Sequence, residues 1–308
     1  MYSTMNPYKK KLYSILIAIV CQPIFANQNV PSISTAKSEC VCPSFIKKIQ
    51  SFKQIDFDAI QPGSLVVFDV DDTLIQPVDT ITLHESSPEA KKFWEWLSTK
   101  YALDFDFYGP VWNHWYMYEA KSRLIEPYII DNIEQLKARG IPVIACTFIY
   151  TGFHNNSSKE PLEEWRYNHL KSLGFEGSYN TKILKFTIDD KHPVFYKGIL
   201  ATDKVAKGKA IGAFLDKMHM QPTTILMFDD NQSFLRTVQE ECEDRGIAFK
   251  GYQYQGTVSK PWDEDLVRFQ GRYFVKHKRW LSDQEAQEMM HAKRMPKPPL
   301  SMQYQKNT

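Results

Sequence analysis

The chain has 308 residues, of which 43% are hydrophobic, 24% charged and 14% aromatic. This globular composition excludes disorder, collagen and coiled coil. Thirty-eight Lys and Arg against thirty-six Asp and Glu leave a formal charge of +2, too balanced to mark nucleic acid as a partner. Five cysteines do not make a disulfide scaffold, and the length allows one large domain or two smaller ones.

Lys9, Lys10 and Lys11 precede an apolar run over residues 12–20, then Pro23 and Ile24-Phe25-Ala26. The layout predicts a secretory signal peptide over residues 1–26, cleaved after Ala26. The run falls short of the roughly 20 apolar residues needed to span a bilayer. Cys21 is a weaker candidate for lipid attachment, because Val20 is bulkier than the residue expected before it. The mature chain is therefore expected to be exported, periplasmic or secreted, with no stable membrane association. Cleavage removes three Lys and no acid, which takes the formal charge from +2 to −1. Residues 27–44 read as a flexible lead-in. Cys40 and Cys42 point to opposite sides of an extended chain, which disfavours pairing with each other. Pairing with Cys146 or Cys242, metal capture, and free thiols stay open.

Leu65-Val66-Val67-Phe68-Asp69-Val70 follows Pro62-Gly63 and predicts a strand buried on both faces. Residues 141–146, 196–201 and 224–228 read alike, and 249–254 reads as a last strand at one side of the sheet. Helical patterns cover 121–139, 160–173, 205–218 and 233–245. Gly140, Gly174 and Gly246 stand just past three of them, as helix stops do. Strands alternating with helices predict an α/β fold, a Rossmann-like parallel sheet with helices on both faces.

Residues 76–120 break the alternation. Eleven aromatics fall within residues 93–118, where about four are expected from average usage, so this stretch reads as a separately packed, mainly helical insert. Most of its aromatics are expected to form its own core, with Trp112, Trp115 or Tyr116 as candidates to face a substrate. Residues 186–195 predict a small hairpin turning around Asp189-Asp190-Lys191. Lys276-His277-Lys278-Arg279 reads as a solvated face. The stretch 291–308, with Pro296, Pro298 and Pro299, reads as a disordered tail.

In an open α/β sheet ligands bind at the carboxyl ends of the strands. The first strand ends in Asp69-Val70-Asp71-Asp72-Thr73 and the fourth in Asp229-Asp230-Asn231. Carboxylates gathered at one edge repel each other unless a cation sits among them, and Mg²⁺ suits such oxygen ligands. One aspartate after a strand is most simply a cap or a turn; two clusters on equivalent strand ends point to a site. A calcium loop is excluded, since the sixth residue from Asp69 is Leu74 and the twelfth is Thr80.

These residues resemble the signature of the haloacid-dehalogenase-like (HAD) hydrolase superfamily. Asp69-Val70-Asp71-Asp72-Thr73 matches its Asp-x-Asp-x-Thr motif, Thr147 its strand-end Ser or Thr, Lys207 its helix-opening Lys, and Asp229-Asp230 its acidic pair. The motifs come in family order. The chain is also similar to a secreted branch of that superfamily from intracellular bacteria. The resemblance implies a HAD-like core over 45–75 and 121–290, with a cap at 76–120. It implies a Mg²⁺-dependent phosphatase hydrolysing a small-molecule phosphate monoester through an aspartyl-phosphate. Asp69 would be the nucleophile, Asp71 the general acid and base, and Thr147 and Lys207 would stabilise charge. Asp69, the Asp71 carbonyl and Asp230 would hold the metal, with Asp229 in support. Asp71 separates phosphatases and phosphomutases from dehalogenase-type members, which lack an Asp there, and from transport ATPases, which carry Thr. The sequence departs from the pattern at Ser233 and Phe234, where many members carry a further acid. Lys204 and Lys209 compete with Lys207, and Thr151 competes with Thr147. A phosphomutase or phosphotransferase, or a catalytically silent binding protein, is the alternative. Substrate and oligomeric state stay open at this level.

Overall fold

A computed structural model describes residues 44–154 and 158–294. Its strands are β1 (Phe45–Ile49), β2 (Ser64–Phe68), β3 (Ile75–Pro77), β4 (Ser122–Leu124), β5 (Val143–Thr147), β6 (Ile183–Lys185), β7 (Val194–Tyr196), β8 (Ile199–Ala201), β9 (Thr224–Asp229) and β10 (Ala248–Tyr254). Eight form one sheet in the order β1-β10-β9-β2-β5-β8-β7-β6. The strands from β1 to β8 in that row are parallel, and β7 and β6 extend it antiparallel. Every residue of β2, β5 and β8 is buried, which is why these stretches read as unbroken apolar runs.

The helices are α1 (Thr80–Leu83), α2 (Pro88–Tyr101), α3 (Phe105–Tyr118), α4 (Ile129–Ala138), α5 (Leu162–Ser172), α6 (Lys207–Met218), α7 (Gln232–Asp244), α8 (Glu264–His277) and α9 (Asp283–Arg294). Alternate residues of the central strands serve opposite faces. Val66, Phe68 and Ala145 pack with Ile129, Ile133 and Leu136 of α4 and Leu170 of α5. Leu65, Val67, Ile144 and Cys146 pack with Ile211 and Phe214 of α6 and Leu235, Val238 and Cys242 of α7. The fold is thus α/β and Rossmann-like. From central β2 the chain moves outward to β5 and β8, then returns to the other side of β2 as β9 and β10. A reversal of this kind marks the place, beyond the carboxyl ends of β2 and β9, where open α/β sheets bind ligands.

Several expectations need correction. Residues 121–139 are not one helix: Pro127 disfavours helical backbone in the residue before it, and the segment splits into β4 and α4. The run 196–201 is not one strand: Lys197 and Gly198 both have positive φ and form the tight turn joining antiparallel β7 and β8. Gly198 is required there, since a Cβ on it would stand 2.7 Å from the Gly177 Cα. β10 is the last strand and lies toward one side of the sheet, with β1 paired along its outer edge. The hairpin around Asp189 and Asp190 is present, closed by the Ile188–Lys191 bridge. Cys146 and Cys242 are free and buried in the core. The signal peptide, most of the lead-in, Cys40 and Cys42 lie outside the described residues. Helix α9 runs through Arg294, and residues 295–308 lie outside the described set. No helix among the described residues is long and apolar enough to cross a membrane.

The aromatic insert leaves and rejoins the core through an antiparallel stem of β3 and β4. Its hydrophobic cluster is completed from the far end of the chain: Phe93, Leu97 and Trp115 pack with Val267 and Phe274 of α8 and with the fully buried Trp280. Trp280 meets Trp112 edge-on at 4.9 Å and Phe93 at 6.1 Å between ring centres. A buried polar knot fastens the same seam. The Asp283 carboxylate accepts from the Thr80 N–H (2.9 Å), the Thr80 hydroxyl (2.6 Å), Gln270 Nε2 (3.0 Å) and Lys260 Nζ (2.5 Å). The Asp283 N–H in turn donates to Asp79 (2.7 Å). Asp283→Ala leaves several donors unpaired and is expected to cost roughly 2–4 kcal/mol, read by urea unfolding. Cleavage of α8 and α9 by protease should precede global unfolding in that variant. Unchanged stability would show that the knot does not hold the seam.

Candidate functional site

The register of the sheet brings the two acidic motifs together. Phe68 and Phe228 are partners across β2 and β9, and the Asp69 N–H donates to the Phe228 carbonyl at 2.8 Å. Between the strand ends lies Lys207, fully buried, whose ammonium donates to Asp69 Oδ1 (2.5 Å) and Asp229 Oδ2 (2.7 Å). Lys207 opens α6, where a cation is disfavoured by the helix dipole, so its position is explained by the carboxylates rather than by the helix. The following residue lets that helix end come close: a Cβ on Gly208 would stand 1.9 Å from the Thr237 carbonyl oxygen of α7. The ring of Phe234, where an acid was the family expectation, lies 4.7 Å from the Lys207 ammonium.

Burial pushes the Asp69 carboxyl well above its ordinary value. The Lys207 charge opposes this and the Asp229 charge adds to it. Burial raises Asp229 as well, again against Lys207. Burial and then Asp229 push Asp230 up to about 6. Burial pulls the Lys207 ammonium down, but Asp69 and Asp229 outweigh it and hold the group protonated, above its ordinary value. One cation thus faces three carboxylates. Asp69, Asp229 and Asp230 each offer an oxygen within 4.8 Å of the others, so hard oxygen donors with excess negative charge meet the requirements of a divalent cation such as Mg²⁺. Both Asp229 oxygens are already engaged, by Lys207 and by the Asn231 N–H (2.8 Å). Asp69 and Asp230 are therefore the freer pair.

The turn after β2 is closed by the Leu74 and Ile75 N–H groups on the Val70 carbonyl, both at 3.0 Å. Asp72 sits there with φ of 59°, which Asp tolerates better than most residues. Thr73 bridges the motifs: its hydroxyl donates weakly to Asp69 Oδ2 (3.4 Å) and accepts from the Asp230 N–H (3.0 Å). Thr147, at the buried end of β5, keeps an Oγ1 without a hydrogen-bond partner. Asp71 points outward and is gripped by both terminal nitrogens of Arg166 (3.0 and 2.9 Å).

Of the competing candidates, Lys204 turns to the Phe148 carbonyl (2.6 Å) and Lys209 to Asp189 (2.7 Å). The Thr151 hydroxyl donates to the His192 carbonyl (2.8 Å). None of the three contacts Asp69. Trp112 and Trp115 pack into the insert's aromatic cluster, their ring centres 5.0 Å apart. Tyr116 instead lies within electrostatic reach of Glu85, Asp71 and Arg166; burial first, then the two carboxylates, push its phenol up. The Lys276–Arg279 run is exposed but partly engaged, with Lys278 over the Tyr108 ring and Arg279 paired with Glu285. Arg166 is the residue that sequence reasoning missed; it lies between Trp165 and Leu170 on the buried side of α5, which also holds Glu163, so nothing in the pattern set it apart from a solvated cation.

A family described as "Protein of unknown function (DUF2608)" matches residues 48–287, well over half of the chain. The chain belongs to this family. Relatives include an uncharacterized protein, RP296, of Rickettsia prowazekii, 23% identical over 238 residues, covering 75% of this chain and 85% of the relative. A second, RP295 of the same organism, is 28% identical over 144 residues, 44% of this chain and 48% of the relative. Among solved structures, a Thermotoga maritima protein assigned as a beta-phosphoglucomutase covers 74% of this chain and 99% of its own, at 11% identity and a TM-score of 0.33. A class C acid phosphatase from Bacillus anthracis, solved with tungstate bound, covers 78% and 83% at 15% identity and a TM-score of 0.29. The architecture of this DUF2608 chain is read from its own strand order.

Lys207→Met leaves Asp69 and Asp229 buried without their counter-charge. The expected loss of stability is about 3–5 kcal/mol at neutral pH, measured by denaturant unfolding. Because both carboxyls titrate higher folded than unfolded, the deficit should grow as pH rises above the ordinary carboxylate range and shrink in acid, where the pair protonates. A deficit independent of pH would contradict the ion-pair account.

Proposed function

We propose that this chain is an exported Mg²⁺-dependent phosphatase that hydrolyses phosphate monoesters through an aspartyl-phosphate on Asp69. The observation that carries the reading is the buried Asp69 at the end of β2, with Oδ1 on Lys207 and Oδ2 taking only the long Thr73 contact. Oδ2 attacks phosphorus while the bond to the leaving oxygen breaks, and Asp71 gives that oxygen a proton. Water then attacks the phosphorus, Asp71 takes its proton, and Asp69 and inorganic phosphate are released. The unpartnered Thr147 hydroxyl donates to a phosphoryl oxygen, and Lys207 offsets charge on the nucleophile side. Bound Mg²⁺, held by Asp69, Asp230 and the Asp71 carbonyl, would screen repulsion between the carboxylate and the phosphate dianion. The insert, tied to α5 beside Arg166 through the Trp165 bond to the Met117 carbonyl, would serve as a cap that excludes water and chooses the leaving group.

Asp71 must leave Arg166 to reach the leaving oxygen, so the arrangement also suits a phosphotransferase that waits for its acceptor. The test is phosphate release by the mature chain from a panel of monoesters, with Mg²⁺ and with EDTA. Activity should require Mg²⁺ and fall to background in Asp69→Asn. Asp71→Asn should lose about 10²–10⁴-fold, more on alkyl than on nitrophenyl esters. Activity surviving Asp69→Asn sinks the mechanism. Export is supported by the Lys9–Lys11 charge and the apolar run after it, and N-terminal sequencing of the mature protein should begin at Asn27.

A further inference from the structure

Arg166 poses a problem that the proposed mechanism does not solve. Its side chain is 5% exposed, while that of its partner Asp71 is 54% exposed. Its Nε has no hydrogen-bond partner, and its guanidinium stacks 4.8 Å from the Trp165 ring centre. Both Asp71 oxygens are engaged by the guanidinium fork, so Asp71 cannot hold Arg166 and reach a leaving oxygen at once. When Asp71 turns to the substrate, a buried cation loses its counter-charge, which is costly in a dehydrated place.

The position of Arg166 indicates what replaces Asp71. The Trp165 indole donates to the Met117 carbonyl of α3 at 2.6 Å, which puts Arg166 at the seam between core and insert, beside Asp71. Tyr116 of the insert and Lys204 lie within electrostatic reach of both Asp71 and Arg166. A leaving group protonated by Asp71 would pass a planar, buried fork with a second cation nearby, the geometry that carboxylates and phosphates accept bidentately.

We propose, resting on the reading of Asp69 as nucleophile and Asp71 as acid, that the substrate's leaving group carries a second anionic group. That group takes the Arg166 guanidinium from Asp71, freeing the acid and keeping the buried cation paired. Substrates with neutral leaving groups offer Arg166 no replacement, so Asp71 is freed less often and they turn over more slowly.

The test is calorimetric binding to the mature chain with Mg²⁺. Alkylphosphonates of increasing length are compared with phosphonates of the same length ending in a carboxylate, and with alkylene diphosphonates. One length in the carboxylate or the diphosphonate arm should bind roughly tenfold or more tightly than its neutral counterpart, and the better arm names the anion. Arg166→Met should abolish that preference, and Arg166→Lys, which keeps the charge without the fork, should retain part of it. Turnover of phenyl phosphate against carboxyphenyl phosphate should show the same loss. No preference in a wild-type protein that binds alkylphosphonates and turns over neutral esters overturns the inference and leaves the proposed function standing. A preference that survives Arg166→Met overturns the assignment to Arg166. No phosphonate binding and no turnover of any ester overturns the proposed function, and the inference with it.

Discussion

The interaction on which the site depends is a buried ammonium held between two buried carboxylates. Lys207 ties the end of β2 to the end of β9 through Asp69 and Asp229. Its reach fixes how close the first turn of α6 must come to the strand ends. Close packing of α6 on α7 at Gly208 follows from that requirement. So does the placement of a Lys at a helix start, where the dipole opposes it. One ammonium does not balance Asp69, Asp229 and Asp230 together, and the residual negative charge makes the same cluster a receptive place for a divalent cation.

A second constraint comes from distance along the chain. The insert begins at β3, immediately after the Asp69 turn, and yet its hydrophobic cluster needs Phe274 and Trp280 from the C-terminal helices. The Asp79, Thr80 and Asp283 knot locks these remote segments together. The Trp165 to Met117 bond fastens α5 to the insert beside Arg166 and its partner Asp71. The insert is therefore supported from three separated parts of the sequence, and the Asp71–Arg166 pair lies near where two of them meet.

The sheet and the two acidic motifs were legible in the sequence because both faces of β2 and β9 are buried and the aspartates follow the apolar runs without a gap. Lys207 could not be separated from Lys204 and Lys209 by pattern; burial separates them, since Lys207 is fully enclosed while the other two are exposed. Arg166 was invisible because one cation in an amphipathic helix looks like a solvated residue until its partner, ninety-five positions earlier, is known. The partnership of α8 and α9 with the insert was hidden for the same reason: their apolar residues mark a buried face without saying what covers it. The turn at Lys197-Gly198 was masked by apolar residues on both sides, which read as one strand.

The central claim is that Asp69 becomes covalently phosphorylated. The direct measurement is rapid quenching of the mature chain during turnover of a phosphate ester, followed by borohydride reduction and peptide mapping. The account predicts a reduced acyl-phosphate at Asp69 that appears with Mg²⁺ and is missing without it. A modified residue elsewhere, or robust turnover with Asp69 unmodified at every quench time, would contradict it.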